Sequence, residues 1–153
     1  MEPQAGQGDA PVRLRRRIRF GDCDPAGILF TPRYAELVFE AIELWLEQVF
    51  GHSVEDQLRG RGTPTPVRAY SVEMRRSLRP GNEVDLAVWV ESISVRSFTL
   101  LVIGSLAGTI VFVGRMSCVT TDESRRQAAE LPPRHREILE DYQRRCGALP
   151  EGT

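Results

Sequence analysis

An α+β fold, with one long helix packed on an antiparallel sheet, is what the sequence predicts, and three observations carry that prediction. Val12 to Phe20 alternates apolar and basic residues, the period-2 pattern of a strand with one apolar face. Tyr34 to Phe50 repeats apolar residues at helical spacing. From Tyr70 to Thr121 the chain returns to alternation, broken by turn-forming Pro, Gly and Asn. Strands gathered outside a single helix, rather than alternating with helices, argue for antiparallel pairing.

Each element follows from its residues. In the first strand Val12, Leu14, Ile18 and Phe20 make the apolar face, interrupted by Arg16, while Arg13, Arg15, Arg17 and Arg19 make the other. A row of arginines suits a solvated edge strand, where charge blocks edge-to-edge pairing, better than a nucleic-acid patch. Thr31-Pro32 reads as the start of the long helix. The Thr hydroxyl can accept a free N–H of the first turn, and Pro at the first helical position loses no bond. Tyr34, Leu37, Val38, Ala41, Ile42, Trp45 and Val49 share a face that Leu44, Leu46 and Phe50 widen, as a buried central helix requires. Gly51 is placed to end it. Ser53 should cap a short second helix through about Leu58, with loop from Gly60 to Pro64.

Four strands are then expected as a meander. They centre on Tyr70, Val72 and Met74; on Val84, Leu86, Val88 and Val90; on Ser97 to Ser105; and on Thr109 to Thr121. Arg79-Pro80-Gly81-Asn82 and Ala107-Gly108 supply turns. Asp122 to Glu130 reads as polar loop, and Pro133 opens a last helix with Ile138, Leu139 and Tyr142 on its apolar side.

Composition narrows the function classes. At 153 residues, 41% hydrophobic and 27% charged, the chain fits one domain, expected over 12–146, after a disordered leader at 1–11 and before a tail at 147–153. A net charge of −1 gives no bulk attraction to nucleic acid or membrane. No apolar run approaches the roughly 20 residues a membrane span needs. All basic residues are arginine, which excludes a lysine Schiff base. Cys23, Cys118 and Cys146 lack CxxC spacing, and only His52 and His135 could join them. No metal site is expected, and a reducing cytoplasm is the expected compartment. There is neither a GxSxG elbow nor a Gly-rich phosphate loop.

Chemistry concentrates in Phe20-Gly21-Asp22-Cys23-Asp24-Pro25-Ala26-Gly27-Ile28-Leu29-Phe30-Thr31-Pro32-Arg33-Tyr34. A Gly/Pro-punctuated loop holds carboxylates next to a helix start with unpaired N–H groups. Acyl transfer wants that combination: one group to attack or activate water, another to stabilise an oxyanion. Asp24 is the leading carboxylate, although the local pattern by itself favours an Asx-turn or loop carboxylate bonding backbone N–H groups. Asp22 reads as a turn former. Cys23 lies between two acids, which disfavour the thiolate a nucleophile needs. His52, after the helix-ending Gly51, and His135, in a polar helix start, read as solvated residues far from Asp24 in sequence.

Gly21-Asp22-Cys23-Asp24-Pro25-Ala26-Gly27-Ile28, with Tyr34 following, resembles the signature of the 4-hydroxybenzoyl-CoA thioesterase family. The resemblance implies a hotdog fold, a sheet wrapped round one long helix, over about Val12 to Cys146. It implies Asp24 as the catalytic carboxylate and the Thr31 backbone N–H as the group polarising the thioester carbonyl. Some family members carry an aromatic residue where this chain has Thr31, a departure that bears on substrate more than on a backbone donor. Gly27, Thr63 and Pro64 are the implied substrate-lining positions, with Arg96 and Ser97 at the nucleotide end of CoA, where an Arg fork suits phosphate. The implied enzyme is an acyl-CoA thioesterase without cofactor, of aromatic-acyl preference, working as a homodimer or homotetramer with shared sites. A carrier-protein thioesterase, a hotdog dehydratase lacking its usual His, and a non-catalytic acyl-binding subunit are the alternatives.

Overall fold

A computed structural model describes residues 10–122, 124 and 126–153. Most of the expected leader therefore lies outside the described residues. The elements are β1 (Val12–Arg17), α1 (Arg33–Phe50), α2 (Val54–Leu58), β2 (Val67–Met74), β3 (Glu83–Ile93), β4 (Ser97–Leu106), β5 (Thr109–Val119) and α3 (Pro133–Cys146). The strands form one antiparallel sheet in the order β1-β3-β4-β5-β2. The long helix α1 lies on one face of it, which is the hotdog arrangement.

One expectation about order fails. The last four strands do not run as a meander, because β2 pairs with β5 at the far edge instead of with its successor β3. The chain leaves β2 at a bulge in which Arg75 N–H and Arg76 N–H both donate to Val111 O, at 2.8 and 3.1 Å. It then crosses the end of the sheet. Leu29 N–H donates to Leu78 O on the way, at 2.8 Å, and the Arg79–Asn82 turn returns the chain beside β1. That crossing ties β2 to the acid-containing loop.

Packing explains the apolar pattern of α1. Tyr34, Leu37, Val38, Ala41, Trp45, Leu46, Val49 and Phe50 are buried, and Gly51 ends the helix at φ 72° as expected. Trp45 sits among Phe50, Phe98 and Tyr142, at ring separations of 5.5, 6.2 and 5.9 Å. Gly114 lets the helix approach, since a Cβ there would stand 2.5 Å from Val38 Cγ2. Arg16, which breaks the apolar face of β1, reaches Glu40 on α1 at 3.0 Å. Phe20 departs from the expected strand: β1 stops at Arg17, and Phe20 is 88% exposed in a single helical turn over Phe20–Asp22.

The third helix covers the open half of β3. Beyond Val88, β3 has no strand on its β1 side, and side chains of α3 take its carbonyls. Tyr142 Oη donates to Val88 O at 2.6 Å and accepts from Val12 N–H at 2.8 Å. Gln143 donates to Val90 O at 3.1 Å and Arg136 to Ser94 O at 2.7 Å. On the outer face Ala87, Trp89, Leu101, Ile103 and Val113 form a second buried cluster, against which Cys146 packs. The segment expected as a tail starts there. Its Gly152 comes near the Arg75 guanidinium at the end of β2.

Candidate active site

The acid-containing loop is a small hairpin closed by its own backbone. Cys23 and Leu29 face each other as an antiparallel bridge. Inside it Asp24 N–H donates to Ile28 O and Gly27 N–H to Asp24 O, both at 2.9 Å. Pro25 and Ala26 fill the turn and Gly27 takes φ 75°, the left-handed conformation that closes such a three-residue loop. Asp24 is half-buried. Its Oδ1 accepts from Ala26 N–H at 2.8 Å, and Oδ2 has no partner among the described residues. The Asx-turn reading is thus correct as geometry, and it leaves one carboxylate oxygen available.

Asp22 is committed to structure, its Oδ2 accepting from Arg19 N–H at 2.7 Å. The Cys23 thiol is pushed up by desolvation and then by Asp22 and Asp24, so it stays protonated at neutral pH. Cys118, buried on β5 opposite Phe98 of β4, is pushed up to about 12 by desolvation.

At the start of α1, Phe30 N–H donates to Asp22 O at 3.0 Å, fixing the helix beside the hairpin. The first turn then closes through Arg33 N–H to Phe30 O, at 2.8 Å, and Tyr34 N–H to Thr31 O, at 3.2 Å. The expected hydroxyl cap is not made. Pro32 occupies the N-cap in helical conformation, and no side chain caps the turn. The reason is local: the turn begins one residue earlier than a Thr31 cap would require, so its N–H groups are used by Phe30 O and Thr31 O. What remains is the Thr31 N–H, which meets no acceptor among the described residues. Thr31 lines a cavity of about 170 Å³ together with Ile28, Leu29, Tyr34, Met74, Arg76 and Ser77 among others.

The remaining expected site residues gather elsewhere. Pro64 O accepts from Thr121 N–H at 3.5 Å, and Arg96 O from the adjacent Thr120 N–H at 2.8 Å. Ser97 O accepts from Ser94 N–H at 2.7 Å, closing the β3–β4 turn that exposes Arg96. Thr63 lines a small cavity together with His52, Phe98 and His135. Asp24, Gly27 and Thr31 therefore stand at the N-terminal end of α1, and Thr63, Pro64, Arg96 and Ser97 at its C-terminal end. The 18 residues of α1 span about 27 Å, so one chain does not join the two groups.

Sequence reasoning missed the histidines. Both are half-buried against the same ring. His135 stacks on Phe50 at 5.2 Å and 26°, and His52 meets the same ring edge-on at 5.9 Å. Burial, and then the neighbouring His52, hold the His135 pKa below its ordinary value. The only signal was Gly51, whose left-handed conformation turns the chain back over the last turn of α1.

A family model described as the thioesterase-like superfamily matches residues 18–139, most of the chain. The chain belongs to the thioesterase-like superfamily. The resemblance drawn from the Gly21–Ile28 motif is thereby borne out, and thioester hydrolase is the enzyme class that follows. No curated protein matches at a significant level. Among solved structures, a thioesterase-superfamily protein from Jannaschia sp. is 25% identical, with a TM-score of 0.77, over 92% of this chain and 96% of that one. A 1,4-dihydroxy-2-naphthoyl-CoA thioesterase from Synechocystis is 18% identical, with a TM-score of 0.76, over 86% and 97%. A Staphylococcus aureus protein solved in complex with CoA is 10% identical, with a TM-score of 0.81, over 99% and 92%. At these identities the last two speak for the fold. Among the described residues of this superfamily member, no three His, Cys, Asp or Glu stand together as metal ligands, and no helix is long and apolar enough to cross a membrane.

Proposed function

We propose that the protein hydrolyses acyl-CoA thioesters, with Asp24 and the Thr31 N–H as its reacting and polarising groups. The observation that carries this reading is their pairing: a half-buried carboxylate with one free oxygen, held by a closed hairpin beside a helix start with one free N–H. The thioester carbonyl oxygen accepts from Thr31 N–H, at the end of α1 where the peptide dipoles place roughly half a positive charge. Asp24 then attacks the carbonyl carbon, forming a mixed anhydride as the C–S bond breaks and CoA leaves as thiol after protonation. Water hydrolyses the anhydride. In the alternative course Asp24 takes the proton of a water that attacks directly. Both end in a carboxylic acid and free CoA, and neither draws on a cofactor.

The substrate class draws support from the solved neighbours, one acting on a dihydroxynaphthoyl-CoA and one holding CoA. An aromatic acyl group suits a cavity walled by Ile28, Leu29, Tyr34 and Met74. The cytoplasm is the proposed compartment, in keeping with free Cys23, Cys118 and Cys146.

The site is completed by a second chain. Edge strand β2 leaves Val67, Tyr70 and Met74 at 45, 49 and 49% exposure, and Phe39 on α1 stands beside Tyr70 at 6.3 Å. An unpaired apolar edge of this kind is a pairing template. Pairing of β2 with the partner's β2 brings the N-terminal end of one α1 toward the other chain's loop. Asp24 and Thr31 then meet the partner subunit's Thr63, Pro64, Arg96 and Ser97. A homodimer is the minimal unit, and the family resemblance extends it to a homotetramer.

Free-thiol release from a panel of aromatic, aliphatic and carrier-protein thioesters tests the reaction, with turnover of aromatic acyl-CoA expected to lead. Inactivity on every thioester refutes it. Light scattering at low micromolar concentration tests the assembly, and a fully active monomer contradicts the shared site.

A further inference from the structure

At the C-terminal end of α1 the imidazole of His52 is held on both sides. Its Nδ1 lies 3.3 Å from Phe50 O and its Nε2 lies 3.2 Å from Gln57 Nε2. A carbonyl oxygen only accepts, so Nδ1 carries the proton, and Nε2 accepts from the Gln57 amide. One neutral tautomer satisfies both contacts at once. The ring is thereby fixed between the end of α1 and the short helix α2.

The loop that follows α2 rests on that ring. A Cβ at Gly62 would stand 2.8 Å from His52 Nε2, 3.0 Å from Cε1 and 3.2 Å from Cδ2. At φ +81°, and with no space above the imidazole, the position takes glycine alone. The cavity left between His52, Thr63, Thr65, Phe98 and His135 is about 10 Å³, room for no more than a single water. Thr63 and Pro64 continue directly from this contact, and Pro64 is tied through Thr120-Thr121 to Arg96.

We propose that His52 is a positioning residue, whose ring serves as the platform that sets the Gly62-Thr63-Pro64 segment in the shape that receives an acyl-CoA bound at the partner subunit's Asp24. The inference rests on the thioesterase reading and on that segment's place in the shared site. It adds a residue that acts through the loop and does not touch substrate. Because the loop binds and does not react, its displacement weakens ground-state and transition-state binding alike.

The experiment measures kcat and KM for an aromatic acyl-CoA in the full-length protein, with circular dichroism to confirm the fold. His52→Ala is expected to raise KM about tenfold with kcat within about twofold. His52→Gln, which can still bridge toward the loop, recovers part of that loss. Gly62→Ala keeps His52 but drives a methyl into its ring, so it should reproduce the KM defect. In the double variant the ring is gone, and the combined effect should fall below the product of the two single effects. An unchanged KM in folded His52→Ala, a fall in kcat equal to that in kcat/KM, or fully multiplicative single effects would each overturn the proposal. If His52→Ala does not fold, normal KM in folded Gly62→Ala overturns it instead. A wild type that hydrolyses no CoA thioester refutes the thioesterase reading and this inference with it. An active wild type with an indifferent His52 refutes the inference alone.

Discussion

Asp24→Asn separates charge from shape at the candidate site. The hairpin holding Asp24 is closed by Asp24 N–H to Ile28 O and Gly27 N–H to Asp24 O, bonds that any side chain leaves intact. The one side-chain bond, from Ala26 N–H to Oδ1 at 2.8 Å, can be kept by an amide oxygen. Asp24 has no ion pair among the described residues to lose, so the stability change should stay within about 0.5 kcal/mol. The anionic Oδ2 is what disappears. Loss of a general base typically costs about 10² to 10⁴ in rate, or roughly 2.7 to 5.4 kcal/mol at 1.36 kcal/mol per decade. A nucleophile that can no longer form the anhydride sits at or beyond the upper end. Continuous detection of released CoA thiol gives kcat and KM, and a thermal melt controls for folding. The expected result is a fall in kcat of about a hundredfold or more with KM within about threefold. A folded Asn variant whose kcat lies within about tenfold of wild type would remove Asp24 from the chemistry and return it to its Asx-turn.

Thr31→Pro removes an N–H that makes no bond among the described residues, so kcat should drop about 10²- to 10³-fold while Thr31→Ala stays near wild type; equal behaviour of the two would exclude the N–H as the polarising donor. Arg96→Ala should raise KM for intact acyl-CoA well above any loss in kcat, and the effect should shrink with a truncated thioester lacking the nucleotide. Equal effects on both substrates would place Arg96 outside the phosphate contact. Tyr142→Phe strands Val12 N–H and Val88 O, which are register partners and can partly close the gap. The expected cost is about 1–3 kcal/mol, a fall of several degrees in Tm, and an unchanged melt would mean the strand ends pair directly. His135 has a folded pKa below its ordinary 6.5, so the unfolded chain binds more protons between those two values, and stability rises with pH there. Acidification should therefore begin to destabilise the protein near pH 6.5 and stop doing so below the folded value. His135→Phe should flatten that step, and an undiminished step would assign it to another group.

How much of this was legible in the sequence depended on whether the deciding contact was local. The breadth of the apolar face from Tyr34 to Phe50, the Gly51 cap and the Ser53 cap are set within a few residues, and each appears as read. The place of β2 is not local. Val67 to Met74 alternates as any strand does, and nothing in it says that its partner is β5 and not β3. That choice is made by the bulge at Arg75–Arg76 and by the Leu29–Leu78 bond, which draw the crossover past the acid loop. The site divides in the same way. Asp24, Gly27 and Thr31 fall within eight residues, and the sharp loop that carries the first two could be read from Pro and Gly, although its closure as a hairpin could not. Pro64 and Arg96 come to the same end of the sheet because Thr121 and Thr120, just past β5, bond their carbonyls. His52 was the hardest to see, because its role depends on the absence of a side chain at Gly62. A glycine in a loop ordinarily reads as freedom; here it marks a close approach, which becomes visible only when the ring beneath it is in place. With the two groups at opposite ends of one buried helix, the proposed pairing would give the exposed edge of β2 a use beyond stability. A monomer cannot shorten α1, so pairing with a second chain is the direct way to bring the N–H at one end within reach of the loop at the other.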